Sequence, residues 1–271
     1  MKQIVLIVAF LLSATVSSPR AETTDWVEVH GGAVRMISAG PLEDGHYLAG
    51  LEFLLEPGWH TYWRYPGEAG IPPQFTFVDT DNLKDVEILY PVPERYSDGF
   101  SESVVYHDGI VLPLRITPES QDQNVRLTLD LFFGICKDIC VPGDATLSLN
   151  FSPDAERDAL SAKLIARDLQ TVPRTTADSE LHIKSVSLNE DNKLVIEALT
   201  LGRTSPELFV AGPEGSYIGL PKPAGQSGDL AIWTLSTKGL KTNEGDDQLR
   251  LVLSVGGEAI EHLIPIQPSW L

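Results

Sequence analysis

Leu127-Thr128-Leu129-Asp130-Leu131-Phe132-Phe133-Gly134-Ile135-Cys136-Lys137-Asp138-Ile139-Cys140-Val141-Pro142-Gly143-Asp144-Ala145-Thr146-Leu147 alternates apolar and polar positions, breaks around two cysteines, and then alternates again. A period of two is the repeat of a strand with one face in a core and the other in water. Gly134 ahead of the pair and Pro142 behind it argue against a helix. The stretch therefore reads as strand, tight loop, strand. That arrangement sets Cys136 and Cys140 opposite each other, within the Cα separation of about 4.4 to 6.8 Å that a disulfide tolerates.

The same alternation extends in both directions, in short runs bounded by Gly, Pro, Asn or Asp. Strands are expected near Trp26–Ile37, Tyr47–Leu55, Thr61–Tyr65, Gln74–Val78, Val86–Leu89, Val104–Ile116, Val125–Phe133 and Ala145–Phe151. Short strands separated by turn signals point to an antiparallel sandwich. From Pro153 the texture changes: Leu160, Leu164, Ile165 and Leu169 fall at helical spacing, with acidic residues in the first turn of the expected helix, which ends before Pro173. Strand texture resumes at Leu181–Leu188, Lys193–Leu199, Glu207–Ala211, Ser216–Leu220, Leu230–Leu235, Gln248–Val255 and Ala259–Ile266, enough for a second β-rich domain. The expected organisation is an all-β chain: a first domain over 22–152, a short helical linker over 153–173, and a second β-sandwich-like domain over 174–271.

Residues 1–21 read separately. Lys2, the apolar run Ile4 to Leu12 and the small, polar stretch Ser13 to Ala21 have the layout of a secretory signal peptide, which predicts export. The run is too short to span a bilayer comfortably, and no later segment approaches the roughly 20 apolar residues a membrane helix needs. The 271 residues carry a formal charge of −18. Residues 22–152 hold seven basic and 21 acidic side chains and residues 153–271 hold 11 and 17, so the acidity is concentrated in the first domain. A chain this acidic lacks the positive field that phosphate backbones require, and no nucleic-acid partner is expected.

The chemistry must come from the cysteines, because other signatures are missing. There is no G-x-S-x-G, no strand followed by G-x-G-x-x-G, and no H-x-x-x-H. The six histidines are scattered and most read as surface or hairpin residues, so no metal and no cofactor is expected. Spacing alone leaves the cysteine pair open to a structural disulfide, to redox exchange or to a metal. Closing a ring of about five residues removes only roughly 2 kcal/mol of chain entropy, which makes a poor staple and keeps exchange in view. Asp130, Asp138 and Asp144 lie close in sequence and disfavour a thiolate. The aromatic run containing Trp59, Tyr62 and Trp63 reads as a core-filling strand or as a partner surface.

Gly58-Trp59-His60-Thr61-Tyr62-Trp63-Arg64 with Pro66-Gly67-Glu68-Ala69-Gly70, then Pro91-Val92-Pro93-Glu94-Arg95, Tyr106-His107-Asp108, Val111-Leu112-Pro113-Leu114 and Gly134-Ile135-Cys136 to Cys140-Val141-Pro142, resemble the periplasmic N-terminal domain of the thiol:disulfide interchange protein DsbD, closest to its ScsB-like branch. The resemblance is specific over about Trp26 to Phe151. It implies an immunoglobulin-like β-sandwich with the cysteines at a hairpin end. It also implies a periplasmic protein-disulfide reductase that takes electrons from a membrane electron-transfer protein or thioredoxin-like donor and passes them to oxidised periplasmic proteins. By motif position Cys140 would form the intermolecular bond and Cys136 would resolve it. A cap loop would match Asp98, Gly99 and Phe100, with Phe100 as the lid. Full-length members continue into a membrane domain and a C-terminal thioredoxin-like domain, neither of which is expected here. The competing expectation is a binding or adaptor module with a permanent disulfide.

Overall fold

The computed structural model describes residues 23–175 and 179–271, so the expected signal segment 1–21 lies outside the described residues. The first eleven strands are β1 (Val27–Val29), β2 (Gly32–Ser38), β3 (Tyr47–Leu55), β4 (His60–Gly67), β5 (Gln74–Asp81), β6 (Leu83–Ile88), β7 (Glu94–Ser97), β8 (Glu102–His107), β9 (Gly109–Pro118), β10 (Val125–Cys136) and β11 (Cys140–Phe151). They form two sheets, one ordered β1-β2-β3-β9-β6 and the other β11-β10-β4-β8-β7, with β5 also paired to β10. Alternation is what closes them into a sandwich. Along β10 the side chains of Val125, Leu127, Leu129, Leu131, Phe133 and Ile135 are buried, and they meet Met36, Tyr47, Leu51, Phe53, Leu112 and Leu114 from the facing sheet in one core.

A helix, α1 (Ala159–Leu169), follows and lies on the outer face of the first sheet. Asp158 caps it, its carboxylate accepting the N–H of Leu160 at 2.9 Å and of Ser161 at 3.2 Å. The acidic residues expected in its first turn precede the helix instead, and Leu160 points to solvent. Ile165 and Ala162 bury against Ile37 and Val111, while Asp168 accepts the Val111 N–H at 2.7 Å. With its outer face under α1 and its inner face in the core, β9 is apolar on both sides, which is why Ile110 to Leu114 reads as a run and not an alternation. The segment expected as a linker is thus a docked element.

Eight more strands build the second β-unit: β12 (Arg174–Thr175), β13 (His182–Leu188), β14 (Lys193–Leu199), β15 (Glu207–Ala211), β16 (Lys222–Ser227), β17 (Leu230–Ser236), β18 (Gln248–Val255) and β19 (Glu258–Pro265). Their sheets are ordered β12-β19-β18-β15 and β13-β14-β17-β16. The two units adjoin through Trp63 beside Phe209, with ring centroids 6.2 Å apart, and through Arg95, which donates to the Leu208 and Pro221 carbonyls and pairs with Glu207. The structure bears out the all-β class with two sandwich-like sheet pairs. Among the described residues no helix is long and apolar enough to cross a membrane.

Three expected elements differ. The run Trp26–Ile37 divides into β1 and β2 at a turn through Gly31, whose φ is +87°, and Val104–Ile116 divides into β8 and β9 at Asp108, φ +62°. Ser216–Leu220 is not a strand. Ile218 and Leu220 are buried, which produces the apolar alternation, but the Ile218 carbonyl accepts from the Tyr65 hydroxyl and the Tyr217 N–H bonds the Gly239 carbonyl. The ladder position belongs instead to β16, whose residues are all exposed and carry no periodic signal.

Candidate functional site

Cys136 closes β10 and Cys140 opens β11, and the two are direct partners in the antiparallel register, joined by a disulfide with Cα atoms 4.2 Å apart. Cys136 has a second neighbour, His60 of β4, directly across the other side of β10. The Thr61 hydroxyl pins the two strands together here, donating to the Gly134 carbonyl at 2.8 Å. The sulfurs therefore differ in access. Cys136 is only 2% exposed, whereas Cys140 is an exposed residue beside the exposed Ile139.

Tyr62 lies beneath the bond. Its hydroxyl is 2.8 Å from the Cys136 Sγ and 3.1 Å from the Cys140 Sγ. Two glycines make that reach possible. A Cβ on Gly70 would stand 2.2 Å from the Tyr62 ring, and one on Gly134 would stand 2.7 Å from Ile71 and 3.1 Å from the ring, so any side chain would push the phenol off the sulfurs. Tyr62 is buried, and that burial, followed by the charge of Asp98 and the neighbouring Tyr96, pushes the phenol up to about 12. It stays protonated at any physiological pH and is a standing hydrogen-bond donor.

Beside Tyr62 is a cluster that the sequence reading missed. His60, 3% exposed, packs against Tyr62 at 5.5 Å between centroids, Tyr96 at 4.7 Å and His107 at 5.5 Å. Burial first, and then the nearby His107, lower its pKa to about 4 against a smaller opposing effect of Asp98, so the ring is neutral. Its Nδ1 is buried without a hydrogen-bond partner among the described residues. His60 is thus not among the histidines that fit the surface or hairpin reading. The available signal was spacing: His60 and Tyr62 are two apart on one strand and share a face.

The expected partner surface needs the same correction. Trp59, Tyr62 and Trp63 are all buried: Trp59 under Gly31 and beside His30, Tyr62 under the sulfurs, Trp63 in the core at the junction with Phe209. Strand β4 faces a core on one side and the cysteine end on the other, so its aromatics have no free face to offer a partner.

Asp98, Gly99 and Phe100 form the turn between β7 and β8. The Asp98 carboxylate accepts the Phe100 and Ser101 N–H groups, each at 2.8 Å, which holds its own pKa below the usual range, and Gly99 has φ +89°. Asp98 is close enough to act on both Tyr62 and His60. Phe100, however, is 99% exposed and covers nothing.

Residues 33–152 match the family model described as thiol:disulfide interchange protein DsbD, N-terminal. No curated protein is significantly similar to the chain. Among solved structures, the crystal structure of the N-terminal periplasmic domain of ScsB from Proteus mirabilis superposes with a TM-score of 0.70 at 23% identity, covering 91% of this chain and 98% of that one. The likeness in fold therefore runs through both β-units, whereas the family match covers the unit that bears the cysteines. Residues 33–152, the unit that bears the cysteines, are thus similar in sequence to the DsbD N-terminal family of thiol:disulfide interchange proteins, and the whole described chain is similar in fold to the ScsB domain.

Proposed function

We propose that the chain is an exported carrier of reducing equivalents, a protein-disulfide reductase in which Cys140 exchanges with partners and Cys136 resolves the exchange. The observation that carries this reading is the difference in exposure between the two sulfurs of one bond. A donor thiolate reaching the oxidised protein attacks the Cys140 Sγ. The Cys136–Cys140 bond breaks, and Cys136 leaves as a thiolate 2.8 Å from the Tyr62 hydroxyl, which donates to it. The donor's second thiol then attacks the mixed disulfide. It takes away the donor as a disulfide and leaves two thiols on this chain, so two electrons and two protons have been transferred. Discharge runs in reverse: the Cys140 thiolate attacks a substrate disulfide, one substrate sulfur leaves and takes up a proton, and Cys136 displaces the other while re-forming the original bond.

The donor proposed is a membrane electron-transfer protein or a thioredoxin-like domain, and the acceptors are oxidised proteins of the periplasm, where the signal-like residues 1–21 would direct the chain. Residues 22–152 form the exchange domain in this reading, 153–173 the connection and 174–271 the second domain. Replacing Cys136 with Ser should trap partners as mixed disulfides through Cys140, while Cys140→Ser should trap none. Redox titration should place the pair above about −300 mV, outside the range of structural bonds. A bond that reduces only when the domain unfolds would refute the carrier reading in favour of a fixed scaffold.

A further inference from the structure

Arg64 follows Trp63 on β4 and lines a cleft of about 840 Å³ between the two β-units. Its guanidinium stacks at 4.0 Å on the Tyr90 ring. Among the described residues it has no carboxylate partner, and its Nε is buried with no hydrogen bond at all. Burial, then the proximity of Arg250, lower its pKa against smaller opposing effects of Tyr90, Glu261 and Tyr106, so the site holds this cation at a cost. Arg250 lines the same cleft, and its own charge is committed to Glu261. A half-buried guanidinium with no carboxylate in direct contact among the described residues is out of keeping with a chain of net charge −18, in which carboxylates are abundant.

The cleft is also polarised. Asp246, Gln248 and Arg250 all line it at alternate positions on β18 and the segment leading into it. At no more than roughly 3.3 Å per residue Asp246 lies within about 13 Å of Arg250, and Glu214 is in the lining too, its N–H bonded to the Asp246 carboxylate at 3.2 Å. One end is cationic and short of an acceptor, and the other is anionic. A free inorganic anion satisfies the first and is repelled by the second. A short extended peptide with a carboxylate at one end and a positive charge at the other satisfies both, and four residues span the distance.

We propose that this cleft is a peptide-binding site in which Arg64 receives a carboxylate by paired N–H donation. The proposal is independent of the sulfur chemistry. It can be tested by calorimetric titration of the intact oxidised protein with the tetrapeptide Lys-Ala-Ala-Ala bearing a free carboxylate, with its C-terminal amide, and with inorganic phosphate. The acid should bind saturably, and loss of a charge-assisted contact should weaken the amide about tenfold or more. Arg64→Gln should weaken the acid by the same factor. Thr76→Trp should do likewise, because Thr76 is an exposed lining residue whose enlargement narrows the cleft and leaves the guanidinium in place; it decides the matter should Arg64→Gln not fold. Absence of saturable binding by the acid up to about 10 mM, equal binding of acid and amide, unchanged binding by Thr76→Trp, or phosphate binding as tightly as the peptide would each overturn the proposal.

Discussion

Replacing Tyr62 with Phe removes one oxygen and leaves the ring wedged between Gly70 and Gly134, so it tests the hydroxyl and not the packing. That oxygen is within 3.1 Å of both sulfurs, and the phenol keeps its proton to about pH 12. A hydrogen bond to a charged group is worth about 1.5 to 3 kcal/mol. The full value belongs to a thiolate, and a disulfide sulfur is a much weaker acceptor. In the reduced protein the Cys136 thiol should therefore titrate about one to two pH units higher in the variant, at about 1.36 kcal/mol per unit. For the exchange rate, with about half the charge developed on the departing Cys136 Sγ, roughly 0.8 to 1.5 kcal/mol is lost, a slowing of about three- to tenfold. Pseudo-first-order reduction by dithiothreitol at pH 7 measures the second quantity, and the pH dependence of thiol alkylation measures the first. Variant and wild type reducing at one rate, with superimposable alkylation profiles, would show that the hydroxyl is a packing contact and nothing more.

His60 supplies a pH dependence with a definite sign. Its pKa is about 4 folded against 6.5 unfolded, so between these values the unfolded chain binds more protons and stability falls as the pH drops. Relative to His60→Phe, the wild type should lose on the order of 3 kcal/mol from pH 6.5 to pH 4 in urea denaturation; parallel curves would rule this out. Phe100→Ala should leave stability within about 0.5 kcal/mol and the dithiothreitol rate unchanged, because the ring is 99% exposed and shields neither sulfur; a faster reduction would mean that the ring closes over the bond in solution. Gly134→Ala should cost about 1 to 3 kcal/mol in denaturation of the oxidised protein, since the new methyl meets the Ile71 Cβ at 2.7 Å and its carbonyl oxygen at 2.9 Å; unchanged stability would mean that the segment between β4 and β5 yields freely.

How much of this was readable in advance depends on whether a feature is carried by period or by contact. The cysteine hairpin was readable because β10 and β11 alternate strictly on either side of a Gly and Pro punctuated loop, and one face of each is committed to the core. β7 and β16 were not: four residues after a proline-rich stretch and six exposed ones have no apolar period, and only an unsatisfied neighbouring edge makes them strands. Ser216–Leu220 failed in the opposite direction, being buried by alternation while its carbonyls and amides serve other partners. At the site, the identity of the sulfurs came from the sequence, but their contact with Tyr62, 74 and 78 residues away, is a product of strand order. Nothing in the local sequence around His60 says that His107 and Tyr96 will surround it.

Strand order also bears on which sulfur can do the exchanging. A thiolate must approach a disulfide along the line of the bond, on the side away from the leaving sulfur. β11 is the edge of its sheet and β10 is the next strand in, with β4 on its far side. An approach to Cys140 comes from beyond the edge, past the exposed three-residue loop, and meets solvent. An approach to Cys136 would have to pass through β4, where His60 is its register partner and the Tyr62 ring occupies the space beneath. Exchanging the chemistry of the two positions would therefore require more than swapping side chains. It would require that the hairpin be paired through β11 with β10 left at the edge, whereas β10 holds β5 along Arg126 to Phe132 and β4 at Ile135 and Cys136.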